Sequence, residues 1–542
     1  MKQGTKFSFI AVICIIIFCI AITPVTFQND TYYSIKIGEY IMENGITHMD
    51  PFSWHEDLPY TYPHWLYDVL TYIVYHMFGY AGIYVATIIL TCILGLVLYF
   101  TSKKLIQSRV IAFVLTMAAI FLAKSFITAR AQLVTFILFV LTIYFIEQFL
   151  DTKKKRYPIY LIIISILIAN LHVAVWPFYF VLYLPYIGEY IVANLSKASL
   201  FFSKKQIKIL KRKLEKVTDE EKKKKYIEKI EKLQDSIDNF DKRVEKSRRK
   251  SYKIKVVENE QTKWIIILML ICTLTGLLTP LGDTPYTYLI KTMEGNTTQN
   301  INEHLPLTLM GTKEFLLLLI VYIAILMFTD TKIRLKDGFL LGGLILMAFS
   351  SRRQMSLVYL LCVPVLGRLI YAFLKKYADG FLEKVEKIVT QYTGTIIVFA
   401  ITVVWSMNII KPKLDDKFVS ESNYPVQAAE YIKNNIDLKT MRLFNEYNYG
   451  SYLLLNDIPV FIDSRADLYS PEFNGKKDIF SDFMNISNLG VYYEDKFKEY
   501  EITHVILFKK SKLNMFISRD EGYEELYSDK YFCVYQRNVP ND

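Results

Sequence analysis

Long uninterrupted apolar runs set the terms on which this chain can fold. Residues 7–24, 80–101 and 132–150 are each apolar with at most one charge, and about 18 or more such residues cross a bilayer core of about 30 Å as a helix. Backbone inside hydrocarbon must satisfy its own hydrogen bonds, so several such runs in one chain predict a helical bundle. The composition agrees. Across 542 residues 52% are hydrophobic, 15% are aromatic and the mean hydropathy is +0.23, more apolar than a soluble protein of this size.

Hydropathy predicts about eleven crossings, near 7–24, 80–101, 109–124, 132–150, 157–175, 177–195, 263–281, 313–329, 337–350, 355–373 and 394–410. The basic clusters Lys103-Lys104, Lys153-Lys154-Lys155-Arg156, Lys332/Arg334/Lys336 and Lys375-Lys376 then share one side with the N-terminus. By the positive-inside rule that side is the cytoplasm, and the odd count puts the C-terminus outside. The net charge of +11 is gathered on loops, which points to membrane topology and anionic lipid headgroups, not to nucleic acid. Lys2 and Lys6 before the first run resemble a signal sequence, but no small-x-small cleavage site follows, so the run reads as an uncleaved span. Five of the six cysteines (Cys14, Cys19, Cys92, Cys272, Cys362) lie in apolar runs and Cys533 stands apart, which rules out a disulfide framework.

Four regions follow: an N-terminal membrane region over 1–196 with a first outer loop at 25–79, a charged insertion at 197–262, a second membrane region at 263–410, and a polar region at 411–542. In the insertion, Ile207, Leu210, Leu214 and Val217 form one arm, and Ile230, Leu233, Ile237, Phe240 and Val244 the other. Their alternating three- and four-residue spacing predicts a cytoplasmic antiparallel helical hairpin, with Thr218-Asp219-Glu220-Glu221 as the capping box of its second helix. It reads as a solvated spacer, with docking of a protein partner as the alternative. In the last region, Val426–Ile436 reads as a helix, and 441–444, 460–462 and 503–508 as strands. That is a mixed α/β domain, and its length suffices for a core of its own. In the first outer loop, Leu66, Val69, Leu70, Ile73, Val74 and Met77 keep helical spacing. They predict a helix lying in the interface plane with Asp68, Thr71, Tyr72, Tyr75 and His76 on its polar side.

On this topology several ionisable residues collect at the outer face. Asp30 and His64 are in the first outer loop, Arg130 ends the 109–124/132–150 pair, Asn170 and His172 are near the outer end of 157–175, and Arg352 and Arg353 follow 337–350. Charged groups at membrane depth usually face a cavity and mark function. The plain alternatives are headgroup-snorkelling arginines, a helix-packing His172, and Asp30 as the N-cap of a helix starting near Thr31. His48 with Asp50, and His55-Glu56-Asp57, have spacing too unspecific to commit to a divalent cation. No Gly-rich phosphate loop, nucleophile elbow or paired-Cys metal spacing is present.

Asp30-Thr-Tyr-Tyr-Ser-Ile-Lys-Ile-Gly38, Gly45, Asp50-Pro-Phe-Ser53 and His64-Trp-Leu66 together resemble the first outer loop of the GT-C superfamily of membrane glycosyltransferases, in a bacterial branch with a C-terminal extracytoplasmic α/β domain. Thr128-Ala-Arg130-Ala-Gln132, Ala169-Asn170-Leu-His172, Ser351-Arg352, the stretch Phe444–Tyr452 and the stretch Phe461–Tyr469 extend the resemblance over all but 197–262. Asn445–Gly450 is also similar to the aromatic-acid-Tyr-Gly signature of oligosaccharyltransferase catalytic subunits. Two positions depart from the pattern: Ser34 stands where relatives often carry histidine, and Ala131 where they often carry proline. The resemblance implies a membrane transferase using a polyprenyl-phosphate-linked sugar, with Asp30 as base toward the acceptor hydroxyl. A carboxyl at an apolar boundary is expected to have a raised pKa, which suits a base. Arg130 and Arg352, with Arg353 behind them, are the expected phosphate clamp; His64 and His172 are expected beside the substrate. Asp463, Arg465 and Asp467 follow a predicted strand, where α/β ligand sites form, an internal Asp–Arg pair being the alternative. The rival reading is a transporter or assembly factor for envelope glycans that keeps the same fold without catalysis.

Overall fold

The computed structural model describes residues 3–215, 217, 219–240, 253–295, 297–308 and 312–538. Thr218, Val244 and the remainder of 241–252 lie outside the described residues. Helices form in each of the eleven apolar stretches. By length and composition, Trp65–Ile106, Ala131–Thr152, Val173–Leu195 and Tyr392–Lys413 are each able to cross a membrane. Arg352–Leu361 with Val363–Tyr377, bent by 47°, makes up to five. Lys6–Ile22, Arg109–Leu122, Arg156–Leu171 and Thr262–Leu277 are apolar but shorter, reaching roughly 21–26 Å at 1.5 Å per residue.

The site is framed by α1 (Gln3–Ile22), α2 (Asn29–Asn44), α3 (Trp65–Ile106), α4 (Arg109–Leu122), α5 (Ala131–Thr152) and α6 (Arg156–Leu171). A large apolar core joins α1 and α3–α6 to the later membrane helices. α3 breaks at Gly79, whose φ of 61° favours a residue without Cβ. The segment before the break is the helix expected to lie in the interface, but the first half of its polar side is covered while His76 is exposed. Asp68 and Thr71 are buried, whereas Leu70 and Met77 are exposed. The cause is α2, which lies so close that a Cβ on Gly38 would sit 2.1 Å from the Asp68 carbonyl oxygen. Ser34, one turn before Gly38, is the polar neighbour of the Asp68 side chain.

Asp30 does not cap its helix. Gln28 is the N-cap of α2 and Asp30 lies in the first turn, where a negative charge meets the positive end of the helix dipole. At the far end of α5, roughly 26 Å from Arg130, Glu147 pairs with Arg334 (2.9 Å) and Lys336 (3.3 Å), and Asp337 with Arg334 (2.7 Å) and Arg368 (2.5 Å). The basic residues that orient this loop therefore pin helices to one another as well.

The hairpin begins without a break. One helix, α7 (Leu184–Leu214), runs from the apolar stretch into the charged arm, and α8 (Glu220–Asp238) packs back on it. Asp219, not Thr218, is the N-cap of α8, accepting from the backbone amides of Glu221 and Lys222.

A two-residue parallel pair, β1 (Ile254–Lys255) with β2 (Ile333–Arg334), follows the hairpin. The C-terminal sheet has β3 (Leu443–Phe444), β4 (His504–Phe508), β5 (Tyr523–Ser528) and β6 (Phe532–Arg537) in the order β3-β4-β6-β5. β3 and β4 are parallel, and the other neighbours antiparallel. Segment 460–462, expected as a strand, is not one. Val460 makes a single bridge to Ser53 of the first outer loop. The Asn445 side chain takes the place of a neighbouring strand, accepting from the Phe461 amide (2.8 Å) and donating to the Ile462 carbonyl (2.7 Å).

The C-terminal region does not build its core alone. Tyr33, Ile37, Leu58 and Tyr60 from the first outer loop share one core with Phe444, Phe461 and Tyr500, while Phe27 and Tyr32 share another with Ala428 and Leu453. Trp54 Nε1 donates to the Leu443 carbonyl (2.9 Å), and Lys36 pairs with Asp457 (2.5 Å). Lys413 Nζ donates to the carbonyls of Ala21, Ile22 and Thr23 (2.9, 2.9 and 3.2 Å), a cation placed on the negative end of α1.

Candidate functional site

Where loop 25–79, the neighbouring helix ends and the C-terminal region meet, they line a cavity of about 1550 Å³. Asp30, His64, Arg130, His172, Arg353 and Arg465 all line it. Residues separated by hundreds of positions in the chain are thus gathered on one surface.

Asp30 and Arg130 are in direct contact, Oδ2 to Nη2. Arg130 is the N-cap of α5 and reaches back across the cavity. Its Nη1 also donates to Gln28 Oε1 and Glu303 Oε1, both at 3.4 Å. Burial pushes the Asp30 carboxyl up, but the Arg130 charge and hydrogen bond, helped by Arg353, outweigh it and hold the group below the usual carboxylate range. This reverses the expectation of a raised pKa: the apolar boundary is present, but so is a guanidinium in contact.

His64 is the N-cap residue of α3, with its ring 4.8 Å from that of His172. Burial drives the His64 imidazole down to about 3, with Asp30 pulling the other way and Arg353 and Arg130 adding to the fall. His172 shares a 2.8 Å hydrogen bond with Thr135, and Asn170 accepts from Trp65 Nε1 at 3.2 Å. These two residues fix the end of α6 against α5 and the start of α3. His64 is expected to stay neutral from about pH 5 to 8. A pH–activity profile measured on wild type and His64→Gln should therefore have the same shape over that range. A wild-type step near about pH 6.5 that vanishes in the variant would contradict this electrostatic picture.

Of the two adjacent arginines, Arg353 lines the cavity and Arg352 does not. Arg352 Nε donates to the Pro306 carbonyl at 3.2 Å. The register is set by backbone: the Arg352 amide bonds to Leu305 and the Arg353 amide to Glu303, each at 3.0 Å. Arg353 has Arg130 as a like-charged neighbour, with Glu303 and Asp30 as the opposing charges.

Asp463 and Arg465 form the internal pair. Arg465 Nη2 is 2.6 Å from Asp463 Oδ2, and its Nη1 is 2.5 Å from Asp50 Oδ1. Tyr469 also donates to Asp463 (2.7 Å). Arg465 has an edge on the cavity, whereas Asp463 does not line it. The histidine stretches of the outer loop do not converge either: His55 Nε2 donates to the Phe461 carbonyl (2.9 Å) and Asp50 is committed to Arg465. Among the described residues no group of three or more His, Cys, Asp or Glu is arranged to hold a metal ion.

Sequence reading passed over Glu303 and Tyr288, which line the cavity together with Asp467. Glu303 and Tyr288 belong to the second long outer loop, 282–312, whose length between predicted spans was the available signal. Asp467 follows Asp463 and Arg465 at two-residue spacing, but only the fold shows that it alone of the two acids faces inward.

The chain is largely helical, with several helices long and apolar enough to cross a membrane packed beside this cavity. A solved structure with this architecture is the apo form of the oligosaccharyltransferase from Archaeoglobus fulgidus. It matches with a TM-score of 0.52 and 11% identity, over 93% of this chain and 69% of that one. No protein-family model and no curated protein sequence matches the chain. At that identity the likeness is one of fold.

Proposed function

We propose that this protein moves a sugar from a polyprenyl-phosphate-linked donor to a cell-envelope acceptor at the outer face of a bacterial plasma membrane. In this reading the chain crosses about eleven times, with its N-terminus in the cytoplasm and its C-terminal region outside. The observation that carries the proposal is the contact of Asp30 with Arg130 inside one cavity, with Arg353 beside them.

The donor phosphate engages Arg130 and Arg353, which suit phosphate as forked, permanently charged donors. Engagement draws Arg130 away from Asp30, and the Asp30 pKa rises towards its ordinary value. Asp30 then takes the proton of the acceptor hydroxyl as the acceptor oxygen bonds to the anomeric carbon. The bond from that carbon to the phosphate oxygen breaks, and the phosphate leaves with the electron pair, stabilised by the arginines. One observation favours the rival, non-catalytic reading: paired with Arg130, Asp30 is a weak base in the resting protein.

Arg353→Ala should weaken donor binding by about tenfold to a hundredfold, the range for a hydrogen bond to a charged group. The measurement is retention of a labelled polyprenyl-phosphate-linked sugar by the purified protein, together with its transfer in membranes. Unchanged retention and transfer would remove the phosphate clamp from the proposal.

A further inference from the structure

The cavity has a second polar centre that the phosphate chemistry leaves unused. Asp467, on a short turn of the C-terminal region, accepts from Tyr288 Oη at 2.7 Å and from Thr297 Oγ1 at 3.2 Å. Thr292 is a third side-chain donor to it, and a carboxylate has about four lone-pair positions, so Asp467 keeps room to accept a further hydrogen bond. Burial raises its pKa, while the Tyr288 and Thr297 hydrogen bonds and the Arg353 charge act against that. Tyr288, which donates to it, and Phe473 stand edge to face with centroids 5.0 Å apart, and both line the cavity with Asp467 and Tyr447.

A carboxylate with spare acceptor capacity, beside aromatic rings that line the same cavity, matches a pyranose ring. The sugar offers adjacent hydroxyls as donors, and its C–H faces lie on the rings. An inorganic phosphate or a lipid tail matches neither half: the first is repelled by the carboxylate and the second leaves it desolvated and unpaired. We infer that Asp467, Tyr288 and Phe473 form a sugar subsite that holds the glycosyl group of the donor while Arg130 and Arg353 hold its phosphate. This rests on the donor class proposed above.

The test uses the full chain in nanodiscs and five probes: polyprenyl phosphate with no sugar, and the same lipid bearing glucose, galactose, mannose or N-acetylglucosamine. Wild type should bind at least one sugar-bearing lipid about tenfold more tightly than the bare lipid, as one or two hydrogen bonds to a charged group allow. Asp467→Asn and Phe473→Leu should each reduce that preference to about twofold or less without changing affinity for the bare lipid. Phe473→Leu decides the matter if Asp467→Asn does not fold, since it leaves the hydrogen bonds of Asp467 in place. A preference that survives in the folded variants overturns the subsite. So does a wild type that binds all five lipids equally, while the phosphate clamp stands. Binding of none of the five overturns both the subsite and the donor class.

Discussion

Asp30→Asn is expected to slow glycosyl transfer by about 10²–10⁴-fold, the usual contribution of a positioned general base. The amide keeps the shape of the carboxylate but cannot take a proton. The fold should tolerate the change, because Arg130 retains Gln28 and Glu303 as acceptors and Asn at the first turn of α2 opposes no helix requirement. Donor retention should stay within a few-fold of wild type, since the arginines that hold phosphate are untouched. Initial rates in membranes with a labelled lipid-linked sugar provide the measurement. If Asp30→Asn transfers as fast as wild type while folded, the base is elsewhere or the protein does not catalyse transfer, and the rival reading stands. Acidification should act in the same direction. With its pKa held below the usual carboxylate range, Asp30 stays ionised through neutral pH, and its function is lost only as pH falls below about 4.

The largest expected effect on stability comes from Arg465→Met. The Arg465 side chain is 3% exposed, and Asp50 and Asp463 are 0% exposed. The guanidinium also sits over the rings of Phe52 (5.3 Å) and Tyr60 (4.9 Å). Removing the cation leaves two buried carboxylates facing each other, and breaking such a pair typically costs about 3–5 kcal/mol. The thermal midpoint in detergent should fall markedly. Arg465→Lys should recover only part of the loss, because an ammonium cannot bridge both carboxylates with a planar fork. The pH dependence has a definite sign. Burial pushes the Asp50 carboxyl up, but Arg465 and then Ser53 outweigh it and hold it below the usual range. In the wild type this stabilisation is therefore complete above about pH 3.9 and lost as pH falls through the lowered native value. In Arg465→Met the acids favour their protonated forms, so the deficit should narrow as pH is lowered from neutral. A deficit that is absent at neutral pH, or constant with pH, would show that the ion triad does not join the outer loop to the C-terminal region.

Much of this molecule is legible along the chain because its signals are local. Apolar runs specify helices, since nothing else satisfies backbone groups in hydrocarbon. Helix 426–435 and strand 504–508 follow from short-range pattern. Readings failed where a distant partner replaced the local one. Segment 460–462 has the composition of a strand, yet the Asn445 side chain and the Ser53 bridge satisfy it instead. Asp68 sits on the polar side of an amphipathic pattern, yet α2 closes over it. Edge strand 523–528 carries charged and polar residues without apolar alternation, and strand 532–537, buried between its two neighbours, has no polar alternation to mark it.

For the site, the sequence by itself determined the inventory: an acid after the first apolar run, and histidines and arginines at the ends of later ones. These follow from solvation cost, which depends on residue type and depth. Only the tertiary structure decided which of them meet. Arg130 touches Asp30, and its charge reverses the direction of the Asp30 pKa shift. Arg353 faces the cavity because backbone bonds from 303–305 set the register, leaving Arg352 on the Pro306 carbonyl. Asp463 is consumed by an internal ion pair, while Asp467, four residues on, opens on the cavity. Coulomb and hydrogen-bond energies vary over a few ångströms, and distances on that scale between residues a hundred or four hundred positions apart are fixed by packing alone.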